Sequence, residues 1–348
     1  MATTLPTFSA STTSDEVVDT FADDIKGKNV LVTGTSLNGL GFETARAIAK
    51  YANLVVITGY NEQRLQASKT AILEAIPSAN VRTLTLDLSS LAAVRKAAAE
   101  VNAYAEPLHL LINNAAATSG FYRLTDDNIE IQMAASHIGP FLFTNLLLPK
   151  IIASGTRTWT PRVVFVSSNA HRRHDGIPLD DKEAFLRGGP GLAFNAASNT
   201  TGGASESETS LPLMRRYAHV KSANVLTARE LARRGKGKLL AYSLHPGGIW
   251  TNACEGGLQS ELIEMGVVNP DGTQTEVMPG GVKWKTLPQG AATTLVAAFD
   301  PRITDQSGAY LDDCVVAEDH VAPHSADMSR ALKLWQLTEE VVGEKFDF

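Results

Sequence analysis

The run Val30-Leu31-Val32-Thr33-Gly34-Thr35-Ser36-Leu37-Asn38-Gly39-Leu40-Gly41 decides the fold of this chain. Its apolar, β-favouring start reads as a buried strand. A glycine-punctuated turn follows, and Phe42 to Tyr51 then reads as a helix. Glycines let backbone turn tightly and approach a bound group closely. The helix start offers free N–H groups and the positive end of the helix dipole to phosphates. Strand, glycine turn and helix in this order form the context that a dinucleotide fingerprint requires.

Outward from the turn, short apolar runs alternate with helical patterns. Leu54 to Ile57, Val81 to Leu86, Leu108 to Ile112 and Arg162 to Val166 read as strands. Glu62 to Ile76, Leu91 to Tyr104 and most of Asp126 to Ile152 read as helices, with Asp126-Asp127 at the start of the last. A long helix from Leu213, a strand at Lys238 to Leu244, a helix at Pro288 to Phe299, a strand at Ala309 to Val315 and a closing helix at Ser325 to Glu344 complete the series. Short apolar runs alternating with longer helices signal parallel strands joined by helical crossovers. The expected fold is α/β, a Rossmann-type doubly wound parallel sheet of about seven strands with helices on both faces.

One domain, residues 27–348, follows an N-terminal extension of residues 1–26, in which Asp15 to Ile25 reads as a short helix. Residues 175–211 read as a flexible insertion, because Gly188 to Ser210 is rich in Gly, Ala, Ser, Thr and Asn without a core pattern. Residues 252–285 read as a substrate lid, since loops at the carboxyl ends of parallel strands border the ligand crevice.

Composition bounds the function. With 44% hydrophobic and 20% charged residues the chain is ordinary globular material. Its net charge of −6 is mixed along the sequence, with no basic stripe for nucleic acid and no basic amphipathic face for a membrane. No run approaches the ~20 apolar residues of a membrane span. Cys254 and Cys314 are the only cysteines, and neither has metal-ligating neighbours, so no disulfide framework or metal site is expected. The Thr-, Ser- and Asp-rich start lacks the basic region and apolar run of a signal peptide, which makes the cytoplasm the expected location.

Tyr217-Ala218-His219-Val220-Lys221 carries the chemistry. Helical spacing stacks the phenol and the ammonium on one face. A phenol titrates near pH ~10, and a cation beside it favours the phenolate, which suits a general acid/base.

These motifs, in this order, resemble the short-chain dehydrogenase/reductase family. The family's turn carries Thr-Gly, three residues, Gly, one residue, Gly; here four residues separate Gly34 from Gly39. Asp87-Leu88 follows the third strand, where the family's Asp meets the adenine amino group. Asn113-Asn114-Ala115-Ala116 follows the fourth strand and is similar to the family's Asn-Asn-Ala-Gly, with Ala116 in place of its last Gly. His245-Pro246-Gly247-Gly248-Ile249-Trp250-Thr251-Asn252 follows the sixth strand, where the family holds the nicotinamide carboxamide with the backbone at Ile249 and the hydroxyl of Thr251. His171 after the serine pair, the His-Pro-Gly-Gly segment and the stretch from Gly308 to Cys314 resemble the branch that includes retinol dehydrogenases and the WW-domain oxidoreductase.

The resemblance implies a nicotinamide dinucleotide held by Gly34, Thr35, Ser36, Asn38, Gly39, Leu40, Asp87, Leu88, Asn114, Ala115, Ala116, Tyr217, Lys221, Pro246, Gly247, Ile249 and Thr251. At the end of the second strand Thr58-Gly59-Tyr60-Asn61 lacks the acid that holds an NAD ribose. Arg64 lies one helical turn on, within reach of a 2′-phosphate, so Tyr60, Asn61 and Arg64 favour NADP(H) over NAD(H).

It also implies the catalytic set Ser168, Tyr217, Lys221 and Ser136. Ser168, the second serine of the pair that ends the fifth strand, orients a carbonyl toward Tyr217; capping a turn suits Ser167 better. Lys221 lowers the tyrosine pKa and holds the ribose hydroxyls. Ser136 stands where the family places an Asn whose bound water links the lysine to solvent. His137 reads as a packed or surface residue and His171 and His174 as loop residues. Trp250, Trp284 and Phe194 read as an apolar pocket lining or as core. Arg233-Arg234 with Lys236 and Lys238 reads as a solvated helix end.

The expected function is hydride transfer between NADP(H) and the carbonyl or alcohol of a small, fairly apolar molecule. The partner is that small molecule; the oligomeric state stays open, with a homodimer compatible. A rival reading, a cofactor-binding sensor or scaffold without turnover, rests on Ser136, Ala116 and the lengthened turn. A third keeps the pocket for an isomerisation or cyclisation.

Overall fold

A computed structural model describes residues 5–117, 122–188, 194–195, 200–201, 212–256 and 258–348. The chain runs through α1 (Ser14–Thr20), α2 (Ala22–Ile25), β1 (Asn29–Val32), α3 (Leu40–Ala49), β2 (Leu54–Gly59), α4 (Glu62–Ala75), β3 (Val81–Thr85), α5 (Leu91–Ala103) and β4 (Leu110–Asn113). A long helical stretch follows: α6 (Ile131–Met133), a π-helical turn (Ala134–Ile138) and α7 (Gly139–Ala153). Then come β5 (Arg162–Val166), α8 (Lys182–Leu186), a small antiparallel pair β6 (Phe194–Asn195) and β7 (Thr200–Thr201), α9 (Pro212–Gly235) and β8 (Leu240–His245). The chain closes with α10 (Gln259–Glu264), α11 (Leu287–Phe299), β9 (Tyr310–Asp312), β10 (Val315–Val316), α12 (Pro323–Ala326) and α13 (Met328–Val342).

The main sheet has eight strands in the order β10-β9-β8-β5-β4-β1-β2-β3, all pairs parallel except β9–β10. Strand order reverses between β1 and β4, which opens a crevice at their carboxyl ends, the usual ligand position in such sheets. Alternate residues of each strand face opposite layers. Leu31 and Leu111 pack toward α5, α7, α9 and α13, whereas Val30, Val32 and Ile112 pack toward α1, α3, α4 and α11.

Three expectations change. The stretch from Ala309 to Val315 is a hairpin rather than one strand, because Asp313 and Cys314 both take left-handed φ (48° and 67°) and reverse the chain in two residues. Asp126-Asp127 do not start the long helix. They lie in a turn before it, and Glu130 caps α6 by accepting from Gln132 N–H and Met133 N–H. Asp127 instead accepts from Leu91 N–H at 2.9 Å, so its charge serves the positive end of α5. The insertion, read as flexible from residue 175, is packed at its start: Ile177, Leu179 and Phe185 are buried. Most of it, from residue 189 to 211 apart from the β6–β7 backbone, lies outside the described residues, as does the Phe194 side chain.

The N-terminal extension is part of the core. Val17, Val18, Phe21 and Ile25 are fully buried against α3 and α11, and burial of side chains of this size contributes roughly 1.5–3 kcal/mol each. Ser14 fixes the docking by donating to Glu43 Oε1 at 2.5 Å, while Arg46 holds the same carboxylate. Among the described residues, the helical stretch Ile131–Ala153 is long and apolar enough to cross a membrane by length and composition, in contrast to the reading from sequence. It is a core helix, with most of its surface buried in the fold.

Candidate active site

The glycine turn is shaped by close approach. Gly34 has φ +70°, and a Cβ there would sit 2.8 Å from Ala115 Cα; one on Gly41 would sit 2.4 Å from Asn114 Nδ2. Asn114 Nδ2 donates to the carbonyls of Thr33 and Gly34, and Thr33 Oγ1 accepts from Asn114 N–H and Ala115 N–H. The turn is thereby clamped to the end of β4. Thr35 is tied to β2, donating both its N–H and its hydroxyl to Thr58 O. The extra residue is absorbed by Asn38, which takes φ 59°.

Beyond the turn, α3 begins at Gly39 with no side-chain cap, whereas α4, α5 and α11 are capped by Asn61, Ser90 and Thr286. An uncapped helix start beside a glycine turn leaves N–H donors for an anion. The residues present therefore fit a dinucleotide pyrophosphate at the Asn38 and Leu40 N–H groups, with the Gly39 N–H donating to Ser36 O at 3.1 Å within the turn.

At the end of β2, Tyr60 is 69% exposed and Arg64 is exposed on the first turn of α4. Together with Thr35, Ser36, Thr58, Gly59, Asn61 and Leu65 they line a small hollow without a carboxylate. Asp87 is exposed after β3, its Oδ1 accepting from Ser89, and Leu88 is buried beneath it.

The catalytic candidates converge at the carboxyl end of β5. Tyr217 stands one turn before Lys221 on α9, and the Ser168 hydroxyl is near enough to its phenol to favour the phenolate. Lys221 Nζ donates to Val166 O at 2.8 Å and lies 5.4 Å from the centroid of the Tyr217 ring. The expected lowering of the phenol pKa does not hold in this state. The cation faces the ring rather than the hydroxyl, and burial pushes Tyr217 up to about 12, with only the Ser168 contact opposing it. Burial likewise pulls Lys221 down to about 8.

The two serines exchange the roles expected of them in one respect. Ser168 does the capping, accepting from Ala170 N–H at 3.2 Å, which fixes its oxygen, while its hydroxyl makes a long contact to Asn169 Oδ1 at 3.5 Å. Ser167 donates to Lys221 O at 2.7 Å and so anchors α9 to β5. Ser136 lies in the π-helical turn, and its hydroxyl accepts from Ala117 N–H at 3.0 Å.

Three buried residues that sequence reasoning missed hold α9 in place. Glu261 of α10 accepts from Leu213 N–H at 2.9 Å and Met214 N–H at 2.7 Å, so α10 caps the start of α9. Arg216 pairs with Glu130 at 3.4 Å, both almost fully buried, and this joins α9 to the cap of α6. The signal for Glu130 was a single acid between Ile129 and Ile131 in an otherwise apolar run.

Comparison with known proteins agrees with this geometry. Residues 28–176 match the model of the short chain dehydrogenase family. The short-chain dehydrogenase TIC 32 A, chloroplastic, of Brassica napus is 31% identical over 96% of this chain and 94% of its own length. The chain belongs to the short-chain dehydrogenase/reductase family. Retinol dehydrogenase 12 of Homo sapiens is 30% identical over 93% of this chain and 89% of its own length, which places the chain near the branch that its motifs resemble. A solved structure of an uncharacterized protein from Mycobacterium Paratuberculosis superposes with a TM-score of 0.63 at 25% identity, covering 94% of this chain and 98% of that one.

As a short-chain dehydrogenase/reductase, the protein is an NAD(P)-dependent oxidoreductase, and the segment after β8 takes its meaning from that. Gly247 has φ +97°, and a Cβ there would meet the Lys285 side chain at 2.6 Å. Ile249 pairs by backbone with Lys285, and Thr251 Oγ1 accepts from Ala253 N–H at 3.4 Å. Trp250 and Trp284 pack edge to face with centroids 5.7 Å apart, both half-buried. They form a half-buried aromatic pair rather than core.

The histidines are structural. His171 is fully buried: Nδ1 bonds Ser168 O at 2.7 Å, and Nε2 accepts from Ala322 N–H at 3.3 Å. A neutral ring with Nδ1 protonated satisfies both contacts, in keeping with a pKa pulled down to about 4 by burial. His137 is packed against Phe141 and Phe185 and bonds Thr338. His174 is exposed with φ 57°. Arg233 and Arg234 are not simply solvated: both hold the buried Glu230 carboxylate, and Arg234 lies over Trp335.

Proposed function

We propose that this protein is an NADP(H)-dependent reductase that transfers a hydride to the carbonyl of a small, fairly apolar molecule, and runs the reverse oxidation of the alcohol. The observation that carries this reading is the convergence of Tyr217, Ser168 and Lys221 at the end of β5, beside the crevice. When bound, the nicotinamide supplies the hydride. Tyr217 donates its phenolic proton to the substrate oxygen. Burial keeps that proton on at neutral pH, so the resting enzyme is loaded for reduction. Ser168 donates to the same oxygen as charge develops on it, its own oxygen already fixed by Ala170. Lys221, a cation below about pH 8, lies beside the phenol ring and is placed to hold the ribose hydroxyls of the cofactor.

Support for the phosphorylated cofactor comes from the hollow after β2. It has no acid to repel a 2′-phosphate, and it is lined by Arg64, by the hydroxyl residues Thr35, Ser36, Thr58 and Tyr60, and by the start of α4. Support for an apolar substrate comes from the Trp250–Trp284 pair. The two cysteines, both unpaired and buried, suit a reducing compartment such as the cytoplasm.

The test is nicotinamide absorbance during turnover of a panel of apolar aldehydes and ketones, with dissociation constants for NADPH and NADH. Oxidation of NADPH by some member of the panel is expected. Arg64→Ala is expected to weaken NADPH about 10-fold, the worth of one charge-assisted contact, and to leave NADH within twofold. A wild-type preference for NADH, or binding without turnover across the panel, would overturn the proposal.

A further inference from the structure

The short-chain dehydrogenase/reductase pattern expects an amide at position 136, and this chain has Ser136 there. The Ser136 hydroxyl is already engaged by Ala117 N–H, so it does not extend toward the lysine. An amide nevertheless stands in the same space. Asn224 lies three residues beyond Lys221 on α9, hence on the same face one turn on. It is only 5% exposed. Its Nδ2 donates to Ser136 O at 2.9 Å and to Val220 O at 3.2 Å. The other end of the amide lies 3.4 Å from Val166 O. That carbonyl is the one that accepts from Lys221 Nζ at 2.8 Å. Asn224 thus spans the gap between the π-helical turn and the carbonyl that holds the lysine.

We propose that Asn224 is a positioning residue for Lys221, supplying from α9 the amide that position 136 lacks and tying the ammonium to the Ser136 carbonyl. An ammonium carries three N–H donors, and Val166 satisfies one of them. The other end of the Asn224 carboxamide and the Lys221 ammonium both approach the Val166 carbonyl, which places the amide oxygen on the lysine's side of that carbonyl. Its N–H groups are anchored on two carbonyls, so the oxygen cannot swing away. The π-helical turn matters here, because a widened turn displaces backbone carbonyls from the regular ladder, a feature frequent at functional sites. The ionisable groups that face this pair are Tyr217 on the same helix and, beyond it, Cys254 after β8 and Tyr310 of β9. Burial is what depresses the lysine.

This inference rests on the reductase reading, and its test has one arm that does not. In apo protein labelled with 15N-lysine, the Nζ signal of Lys221, assigned with Lys221→Met, reports its protonation directly. Asn224→Ala should lower its titration midpoint by half a pH unit or more, because an acceptor for the charged form is gone. Asn224→Asp, which keeps the shape if the alanine variant fails to fold, should raise it by at least as much. In the turnover arm, with the best carbonyl of the panel and NADPH, Asn224→Ala should lower kcat 10-fold or more with KM within threefold. Adding Ser136→Asn to it should restore at least a third of kcat. An Nζ titration that moves in neither variant, or a kcat loss that Ser136→Asn leaves unrepaired, overturns the role. If no carbonyl is turned over by the wild type, the reductase reading fails, while the apo titration still decides whether Asn224 serves Lys221.

Discussion

Lys221 Nζ sits over the face of the Tyr217 ring, 5.4 Å from its centroid, and gives a hydrogen bond to Val166 O rather than to the phenol. The pair is therefore a half-buried phenol beside a buried ammonium. Each is displaced toward its neutral form, Tyr217 up to about 12 and Lys221 down to about 8.

A buried lysine with a depressed pKa burdens the fold, and the sign can be worked out. Below pH 8 the ammonium is charged in both folded and unfolded states, and the cost of burying it is constant. Between about 8 and 10.5 the unfolded chain binds more protons than the folded one, so stability rises with pH; above that range the penalty is gone. At pH 7 the penalty is roughly 3 kcal/mol. Lys221→Met, which keeps length and removes charge, is expected to raise Tm by several degrees at pH 7 and to lose most of that gain by pH 10.5. Denaturation followed by circular dichroism at both pH values checks this; a variant less stable than wild type at pH 7 would contradict it.

Glu261 links α10 to the start of α9, the helix of Tyr217 and Lys221, through the N–H groups of Leu213 and Met214. Losing a helix cap costs about 0.5–2 kcal/mol. Glu261→Ala should lower stability by about that amount and expose the first turn of α9, four residues before Tyr217, to amide exchange. Hydrogen–deuterium exchange localises the effect. Equal protection of residues 213–217 in both proteins would show that the cap is not what orders the helix start.

The fold was legible because its signals are local. The strand–turn–helix at Val30 to Tyr51 and the later apolar runs each state their own conformation, and β1 to β5 lie where those runs lie. What sequence could not show depends on partners distant along the chain. Asp127 looks like a helix start because acids suit one, but the helix it serves begins 36 residues earlier, at Leu91. Ser167 and Ser168 differ only in which way each points from the end of β5, a fact set by the pleat and by Lys221 and Ala170. The Tyr217–Lys221 spacing gave the shared face correctly. It could not give the depth of burial, which reverses the direction of the tyrosine shift. Asn224 escaped notice because its importance comes from Ser136, 88 residues away in the chain and 2.9 Å away in space.

Asp127 offers a test of the first of these points. Asp127→Ala should destabilise the protein by about 1 kcal/mol through loss of the acceptor on Leu91 N–H, which supplements the Ser90 cap of α5, with the NADPH dissociation constant within twofold. Thermal melts and fluorescence titration read the two quantities separately. A tenfold loss of cofactor affinity would instead place Asp127 in the cofactor site.

The division of labour between Ser168 and Tyr217 can be separated from structure by pairing their variants. Ser168→Ala removes a donor from the developing oxyanion, a change worth about 10²–10³ in kcat. It also removes the cap on Ala170 N–H, so a small loss of stability, about 0.5–1 kcal/mol, accompanies it. Tyr217→Phe removes the proton donor and should cost at least as much in kcat, without a cap to lose. Ser168 is not among the expected cofactor contacts, so NADPH affinity should stay within threefold in Ser168→Ala, whereas Tyr217→Phe, at an expected cofactor contact, is read on kcat alone. The double variant should be little slower than Tyr217→Phe alone, because groups that act on one oxygen as a unit are not additive. Stopped-flow reduction of the best carbonyl substrate gives the rates, and melts give the stability. Multiplying effects would mean that the two hydroxyls act on different atoms, and the shared site at the end of β5 would have to be redrawn.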